Sequence, residues 1–384
     1  MLIALSVHGE DKPGLVHAVA KALAGCNANI VDIEQTVLQG IFAMFIVAEA
    51  ENLDCVEKKV RELCDQLGVK ITLSPFERKK LKEKNLYVIN VLGKDRIGLV
   101  RDITEVLLKF GINIERTSLT ARDKLISIEF LVDMGDANLS NLKRELLKEG
   151  EKLGLDIVVQ DYESATKEKR LIVFDLDSTL IEVEIIDELA REAGVEKEVK
   201  ELTQKAMNGE MSFKEALRER VRLLKGLPVE VLEKIYSRVE FTEGAKELIS
   251  ALKRAGYKIA VVSGSFTYFT NRIKEELGID YAFGNELEIV DGKLTGNVVG
   301  RIIDAEEKAR IVEEIARKEG IKIENVVAVG DGANDRIMIE RAGLGIAFNA
   351  KNVLKEIADG NISKDNIIGI AGILKLPSEF KKRL

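Results

Sequence analysis

The chain has 384 residues, 46% hydrophobic and 32% charged, with 58 Lys and Arg against 65 Asp and Glu for a formal net charge of -7. At ~150 residues per domain, this length predicts two or three globular domains, and the composition excludes a disordered or collagenous chain. There is no basic excess for a nucleic-acid footprint, and the apolar run Ile41 to Ala48 is far short of the ~20 residues of a membrane span, so neither nucleic acid nor membrane is expected as a partner.

The N-terminus, MLIALSVHGEDK, has no basic region before its apolar residues, so it does not read as a secretory signal and a cytoplasmic location is expected by default. The cysteines Cys26, Cys55 and Cys64 cannot all pair and show no CxxC spacing, which predicts buried thiols rather than a disulfide framework or a zinc site. Both histidines, His8 and His17, lie near the N-terminus. Chemistry in the C-terminal half must therefore use carboxylates, lysine and metal, not a Ser-His-Asp or Cys-His arrangement.

The first feature in chain order is an internal repeat. GEDKPGLVHAVAKALAGCNANI starts at Gly9 and GKDRIGLVRDITEVLLKFGINI at Gly93, a constant offset of 84 that superposes Asp11 on Asp95, Gly14 on Gly98 and Asn29 on Asn113. Each copy opens on a strand-like run, turns around Gly-x-Asp and continues with apolar residues at helical spacing. Further strand-like runs (FAMFIVAE; ISIEFLVD) and a second Glu/Lys/Leu-rich helix predict βαββαβ, the ferredoxin-like motif, in each copy. The predicted limits are 1–76 and 86–163, joined by the charged linker 77–85, with a third domain over 164–384.

On the Gly-x-Asp-(x)2-Gly-Leu-Val turn and the Asn-Ile that opens the next strand, each copy resembles the ACT domain, a small ferredoxin-like module that binds amino acids at paired interfaces. The resemblance implies an effector site for an amino acid at Asp11, Gly14 and Asn29 and again at Asp95, Gly98 and Asn113, and a homodimer as assembly. A turn that exposes backbone N–H groups at a helix N-terminus favours a carboxylate; a turn that only preserves the fold is the alternative. Ile97 stands where the first copy has Pro13, a departure that bears on the second site.

From Leu171 the sequence reads LIVFDLDSTL, an apolar run suited to a buried parallel strand followed by Asp175 and Asp177. KIAVVSGSF presents Ser263 and Gly264 in the same way, NVVAVGDGAND presents Asp331, Asn334 and Asp335, and Lys308 lies in the helix opening DAEEKARIVEEI. In open α/β sheets, ligands sit beyond the carboxyl ends of the strands, so these clusters converge if their strands are neighbours. An Asp carboxylate is a usable nucleophile toward phosphorus, but a dianionic phosphate repels it, which calls for a hard cation held by carboxylates.

A DxD, a lone Ser, a Lys and a GDxxND in that order resemble the haloacid dehalogenase superfamily of phosphotransferases. That resemblance implies a Rossmann-like α/β core, Mg²⁺ as cofactor and Asp175 as nucleophile, with Asp177 as general acid and then base. It further implies Ser263, the Gly264 N–H and Lys308 on the phosphoryl oxygens, and Asp175, Asp331 and the main-chain carbonyl of Asp177 as metal ligands. Asp335 and Asn334 orient the metal shell, Asn334 also being placed beside the substrate.

The segment 184–243 reads as an inserted helical cap, with Ser212 as an N-cap. With DLDSTL-x3-E, VVSG, DGKLTG and VGDGAND, it resembles the phosphoserine phosphatase family. That implies O-phospho-L-serine as substrate, an aspartyl-phosphate intermediate and the last step of L-serine biosynthesis. Glu184 then faces the serine ammonium, Arg220 its carboxylate, and Met207 and Phe213 form an apolar wall; simple cap packing, or a surface role for Arg220, is the alternative. Ser265 stands where many relatives have Gly. Two other readings stay open: another small-phosphomonoester phosphatase or phosphotransferase, and an amino-acid-sensing regulatory protein with an idle phosphatase domain.

Overall fold

Gly14 and Gly98 occupy the same place in two copies of one unit, each immediately before a helix with φ of 95° and 90°. Residues with a Cβ rarely adopt that conformation, which accounts for the glycine in both turns. The computed structural model describes residues 1–77, 83–122, 125–350, 352–363 and 366–376; most of the expected linker, 78–82, and the side chain of Met207 lie outside the described residues. The chain divides into two compact units, Met1–Glu83 and Lys84–Leu384.

In the first unit β1 (Leu2–Glu10), β2 (Asn29–Leu38), β3 (Ile41–Glu49) and β4 (Lys70–Pro75) form an antiparallel sheet in the order β2-β3-β1-β4. Alternation along β1 buries Ile3, Leu5 and Val7, which pack with Leu15, Val19, Val56 and Val60 of the helices Leu15–Ala24 and Leu53–Leu67. Asn52 caps the second helix, its side chain accepting from the Cys55 N–H at 3.0 Å.

One expectation fails in this unit. Cys26 and Cys55 are not free thiols but form a disulfide; Cys64 alone remains a half-buried thiol. Cys26 follows the first helix and Cys55 lies in the first turn of the second, and packing both helices on one sheet brings their Cα atoms to 5.7 Å, a contact that CxxC spacing cannot reveal. Closing a loop of sequence separation 29 stabilises the fold by about 3–4 kcal/mol through lost chain entropy. Urea unfolding of the full chain with and without reductant should show a loss of that size in the transition of the first unit; coincident transitions would exclude a stabilising role for the bridge.

The second unit repeats βαββαβ with β5 (Leu86–Gly93), β6 (Asn113–Arg122), β7 (Ile126–Asp133) and β8 (Leu155–Asp161), and the helices Leu99–Lys109 and Leu139–Leu153. It continues with β9 (Leu171–Phe174), β10 (Lys258–Phe266), β11 (Tyr281–Val290), β12 (Lys293–Val299), β13 (Val326–Gly330), β14 (Leu344–Phe348) and β15 (Gly360–Ile362). These strands form one 11-stranded sheet in the order β12-β11-β10-β9-β13-β14-β15-β8-β5-β7-β6. From β11 to β15 neighbours run parallel, and β15 meets β8 antiparallel at Gly360 and Val158.

The second repeat is thus stitched to the α/β core by backbone pairing. Polar contacts reinforce the seam: the buried Asp156 accepts from the N–H and Oγ of Ser363, both at 3.0 Å, and from Asn366 Nδ2. Val173 and Ala328 pack with Ile311 and Val312 of the helix Ala305–Lys318 on one face of the core sheet, while Ile172 and Phe174 pack with Leu248 and Phe269 on the other. Burial on both faces explains why these strands read as continuous apolar runs.

Candidate active site

β9 lies between β10 and β13, so its last residue, Phe174, is level with Val261 and Val329. The residues just past those three positions therefore lie side by side, and the expected Asp175, Ser263 and Asp331 are among them. Asp175 continues the ladder, its N–H donating to Val329 O at 2.9 Å. Its Oδ1 accepts from the Leu176 N–H at 2.7 Å and from Lys308 Nζ at 2.8 Å.

Lys308 is fully buried in the first turn of the helix that Asp304 caps, the Asp304 side chain accepting from the Glu307 N–H at 3.0 Å. Its ammonium also donates to Asp335 Oδ1 at 2.6 Å, and Asp335 Oδ2 accepts from the Asp331 and Gly332 N–H groups at 3.1 and 3.0 Å. Both oxygens of Asp335 are thereby engaged in holding the loop and the lysine. Asn334 sits half-buried in the same short turn, Ala333–Asp335.

Single carboxylate oxygens of Asp175, Asp331 and Asp335 lie within 4.8 Å of one another. Burial, then the charges of Asp175 and Asp335, push Asp331 up to about 8, and the same two causes, burial and Asp175, push Asp335 to about 7 against the pull of Lys308. One lysine does not balance three carboxylates, of which Asp175 and Asp335 are buried and Asp331 half-buried. A hard divalent cation fits this oxygen donor set and charge, with Asp175 and Asp331 as the pair not already occupied in holding the loop.

Asp177 is buried; its Oδ2 accepts from the Ile185 N–H at 3.3 Å, and its Oδ1 has no partner among the described residues. Burial, followed by the charges of Glu184 and Asp175, raises its pKa well above the ordinary carboxylate value. Such a group holds a proton that it can donate. Ser263 closes the other side, buried at the end of β10 with its Oγ accepting from the Ser265 N–H at 3.1 Å. Ser265 adds a buried hydroxyl beside Asp177.

The cap segment forms the helices Ile185–Ala193, Glu196–Met207, Phe213–Leu223 and Glu230–Tyr236. Ser212 caps the third in a capping box with Glu215, its Oγ accepting from the Glu215 N–H at 3.2 Å. This fixes Phe213 at the helix start, where its ring edge would be 3.1 Å from a Cβ on Gly264. Gly264 thus leaves room for Phe213 of the cap against the Ser263–Gly264 loop.

Arg220 lies two turns further along the same helix and is 8% exposed. It donates from Nε to Ala216 O and from Nη1 to Thr203 Oγ1, both at 3.3 Å, and has no carboxylate within 4.0 Å among the described residues. Burial lowers its pKa, opposed by the charges of Asp187, Glu184 and Asp177. Glu184 accepts from Ser178 Oγ at 2.8 Å. Although its side chain reaches solvent, packed atoms crowd the carboxylate, and this partial desolvation, followed by the charge of Asp175, raises its pKa. The expected Met207 contact lies outside the described residues.

One supporting residue escaped the sequence reading. The fully buried Asn285 on β11 donates to Gly264 O at 2.7 Å and accepts from the Ile303 N–H at 2.9 Å, fastening the Ser263–Gly264 loop to the segment before Lys308. An Asn amid the strand YAFGNELEIV was the available signal. At the two ACT-like turns, Asp11, Gly14, Asn29, Asp95 and Asn113 are exposed, and Gly98 is half-buried. Asn113 Nδ2 donates to Glu115 at 2.9 Å, while Asp102 in the second turn is engaged by both Arg96 and Arg101.

Residues 172–340 match the haloacid dehalogenase-like hydrolase family, and residues 1–74 and 85–160 each match the ACT domain. A phosphoserine phosphatase from Archaeoglobus fulgidus is 68% identical over 344 residues, 90% of this chain and all of the relative. The chain belongs to the phosphoserine phosphatase family. A second relative of that name, from Streptomyces coelicolor, is 36% identical over 97% of this chain and 92% of its own length. The solved structure of a probable phosphoserine phosphatase from Vibrio cholerae superposes with a TM-score of 0.60 at 34% identity, covering 77% of this chain and 89% of that one. This phosphoserine phosphatase family member therefore combines a haloacid dehalogenase core, a helical cap and two ACT domains in one chain. Among the described residues, no helix is long and apolar enough to cross a membrane.

Proposed function

We propose that the chain hydrolyses O-phospho-L-serine to L-serine and inorganic phosphate, as the last step of L-serine biosynthesis. The observation that carries this reading is the buried guanidinium of Arg220, without a carboxylate partner among the described residues, in a cap whose Phe213 reaches the phosphoryl loop. A bidentate Arg–carboxylate pair matches the substrate's carboxylate, Glu184 meets its ammonium, and Phe213 with Met207 walls the apolar side. Family membership supports the same substrate.

A carboxylate oxygen of Asp175 attacks phosphorus as the bond to the serine oxygen breaks, and Asp177 donates its proton to the departing alkoxide. Asp177 then takes a proton from water as that water attacks the aspartyl-phosphate, which restores the Asp175 carboxylate and releases phosphate. Ser263 and the Gly264 N–H donate to the phosphoryl oxygens, and Lys308 offsets their charge. Mg²⁺, when bound, supplies the positive charge that lets two anions approach; Asp175, Asp331 and the Asp177 carbonyl would hold it, with Asp335 and Asn334 orienting that shell.

The ACT domains, with limits proposed at 1–76 and 86–163, are assigned to L-serine sensing and homodimer formation. Isothermal titration of the full chain with L-serine beside an Asn29→Ala, Asn113→Ala variant tests the sensing role, and equal binding by both would exclude these turns.

The substrate is tested by phosphate release in Mg²⁺ from O-phospho-L-serine and from O-phosphoethanolamine, which lacks the carboxylate, in wild type and Arg220→Met. A charge-assisted pair is worth ~1.5–3 kcal/mol, so kcat/KM for phosphoserine should fall about 10- to 100-fold in the variant while that for phosphoethanolamine stays level. Equal losses on both substrates would remove Arg220 from carboxylate recognition.

A further inference from the structure

At the seam between the second ACT sheet and the α/β core lies a cavity of ≈ 270 Å³. Lys169 just before β9, Tyr257 just before β10, Leu344 at the start of β14, Gln160 of β8 and Ile373 are among the residues that line it. It therefore sits at the N-terminal ends of the core strands, whose C-terminal ends carry Asp175, Ser263 and Asp331.

The charges around this cavity do not balance. Lys167 pairs with Glu163 and Glu324 at 3.2 and 3.3 Å, Glu168 with Arg170 at 2.7 Å, and Lys375 with Glu129 at 2.8 Å. The fourth charged lining residue, Lys169, is 7% exposed and has no carboxylate within 4.0 Å among the described residues. Its ammonium donates to Glu324 O at 2.7 Å and Gly343 O at 3.2 Å, which leaves one of its three N–H donors over. Burial pulls the pKa of Lys169 down, a penalty on the charged form that a neighbouring anion removes.

An independent observation concerns Gln160, which is 6% exposed and whose Nε2 is buried with no acceptor among the described residues. An unmade buried hydrogen bond is costly, and a ligand in the cavity relieves it. We propose that this seam cavity binds a small oxyanion, a carboxylate or inorganic phosphate, held by Lys169 and Gln160. Bound there, the anion bridges β8 of the second ACT domain to the segment that leads into β9.

The test uses the full chain in chelator, so that the acidic active site has no metal to attract an anion, and reads binding without turnover; its outcome is separate from that of the proposed reaction. Inorganic phosphate and acetate are titrated calorimetrically in separate arms, against wild type, Gln160→Leu and Lys169→Met. Gln160→Leu removes an unsatisfied amide and should leave the fold intact, whereas Lys169→Met also releases two carbonyls. The expected result is saturable binding of one or both anions at one per chain, weakened at least about tenfold in Gln160→Leu, the loss of one charge-assisted hydrogen bond. The responding arm identifies the anion. No saturable binding in either arm, or equal affinity in wild type and Gln160→Leu, would overturn the proposal.

Discussion

Asp175→Asn should reduce phosphate release from O-phospho-L-serine by at least about four orders of magnitude, or ~5 kcal/mol of transition-state stabilisation. The substitution keeps the shape of a residue that is 3% exposed and still offers an oxygen to the Leu176 N–H and to Lys308. It removes the negative charge and the nucleophilic oxygen together. Because Asp175 also raises the pKa of Asp177, Asp331 and Asp335, its loss should leave the protein at least as stable in chelator while abolishing turnover. Unfolding by urea and phosphate release, measured on the same preparation, separate the two effects. Turnover retained in the Asp175→Asn variant would exclude Asp175 as the nucleophile.

Lys308→Met should damage both stability and activity. The ammonium is fully buried at 2.8 Å from Asp175 and 2.6 Å from Asp335, and the Asp335 carboxylate in turn holds the Asp331 and Gly332 N–H groups. Removing one partner from a buried ionic cluster costs ~3–5 kcal/mol because the remaining charges are uncompensated. In the proposed reaction, losing Lys308 as a donor to the phosphoryl oxygens should cost a further ~10²–10³ in kcat. Urea unfolding in chelator should show the first loss, and phosphate release in saturating Mg²⁺ the second. An unchanged unfolding midpoint would show that the carboxylates hold the loop without the lysine.

Much of the candidate site was legible because its signals are local. An apolar run followed by Asp175 and Asp177, or by Asp331 and Asp335, reports both a strand buried on two faces and the loop beyond its carboxyl end. The repeat was equally legible, since Gly14 and Gly98 answer one backbone requirement and the alternation on either side of them answers one burial pattern.

The sequence by itself determined the tandem βαββαβ units, the α/β core after them and the residue types that gather at the candidate site. Each of these depends on a periodicity or on neighbours a few positions apart. Tertiary structure alone decided that Cys26 meets Cys55, that β8 joins β15, that Asn285 ties Gly264 to Ile303, and that Arg220 and Lys169 are buried without a carboxylate partner among the described residues. These contacts join segments 18 to more than 200 residues apart. Periodicity tells which face of an element is buried, but not which distant element covers it or whether a charge carried there finds its counter-charge.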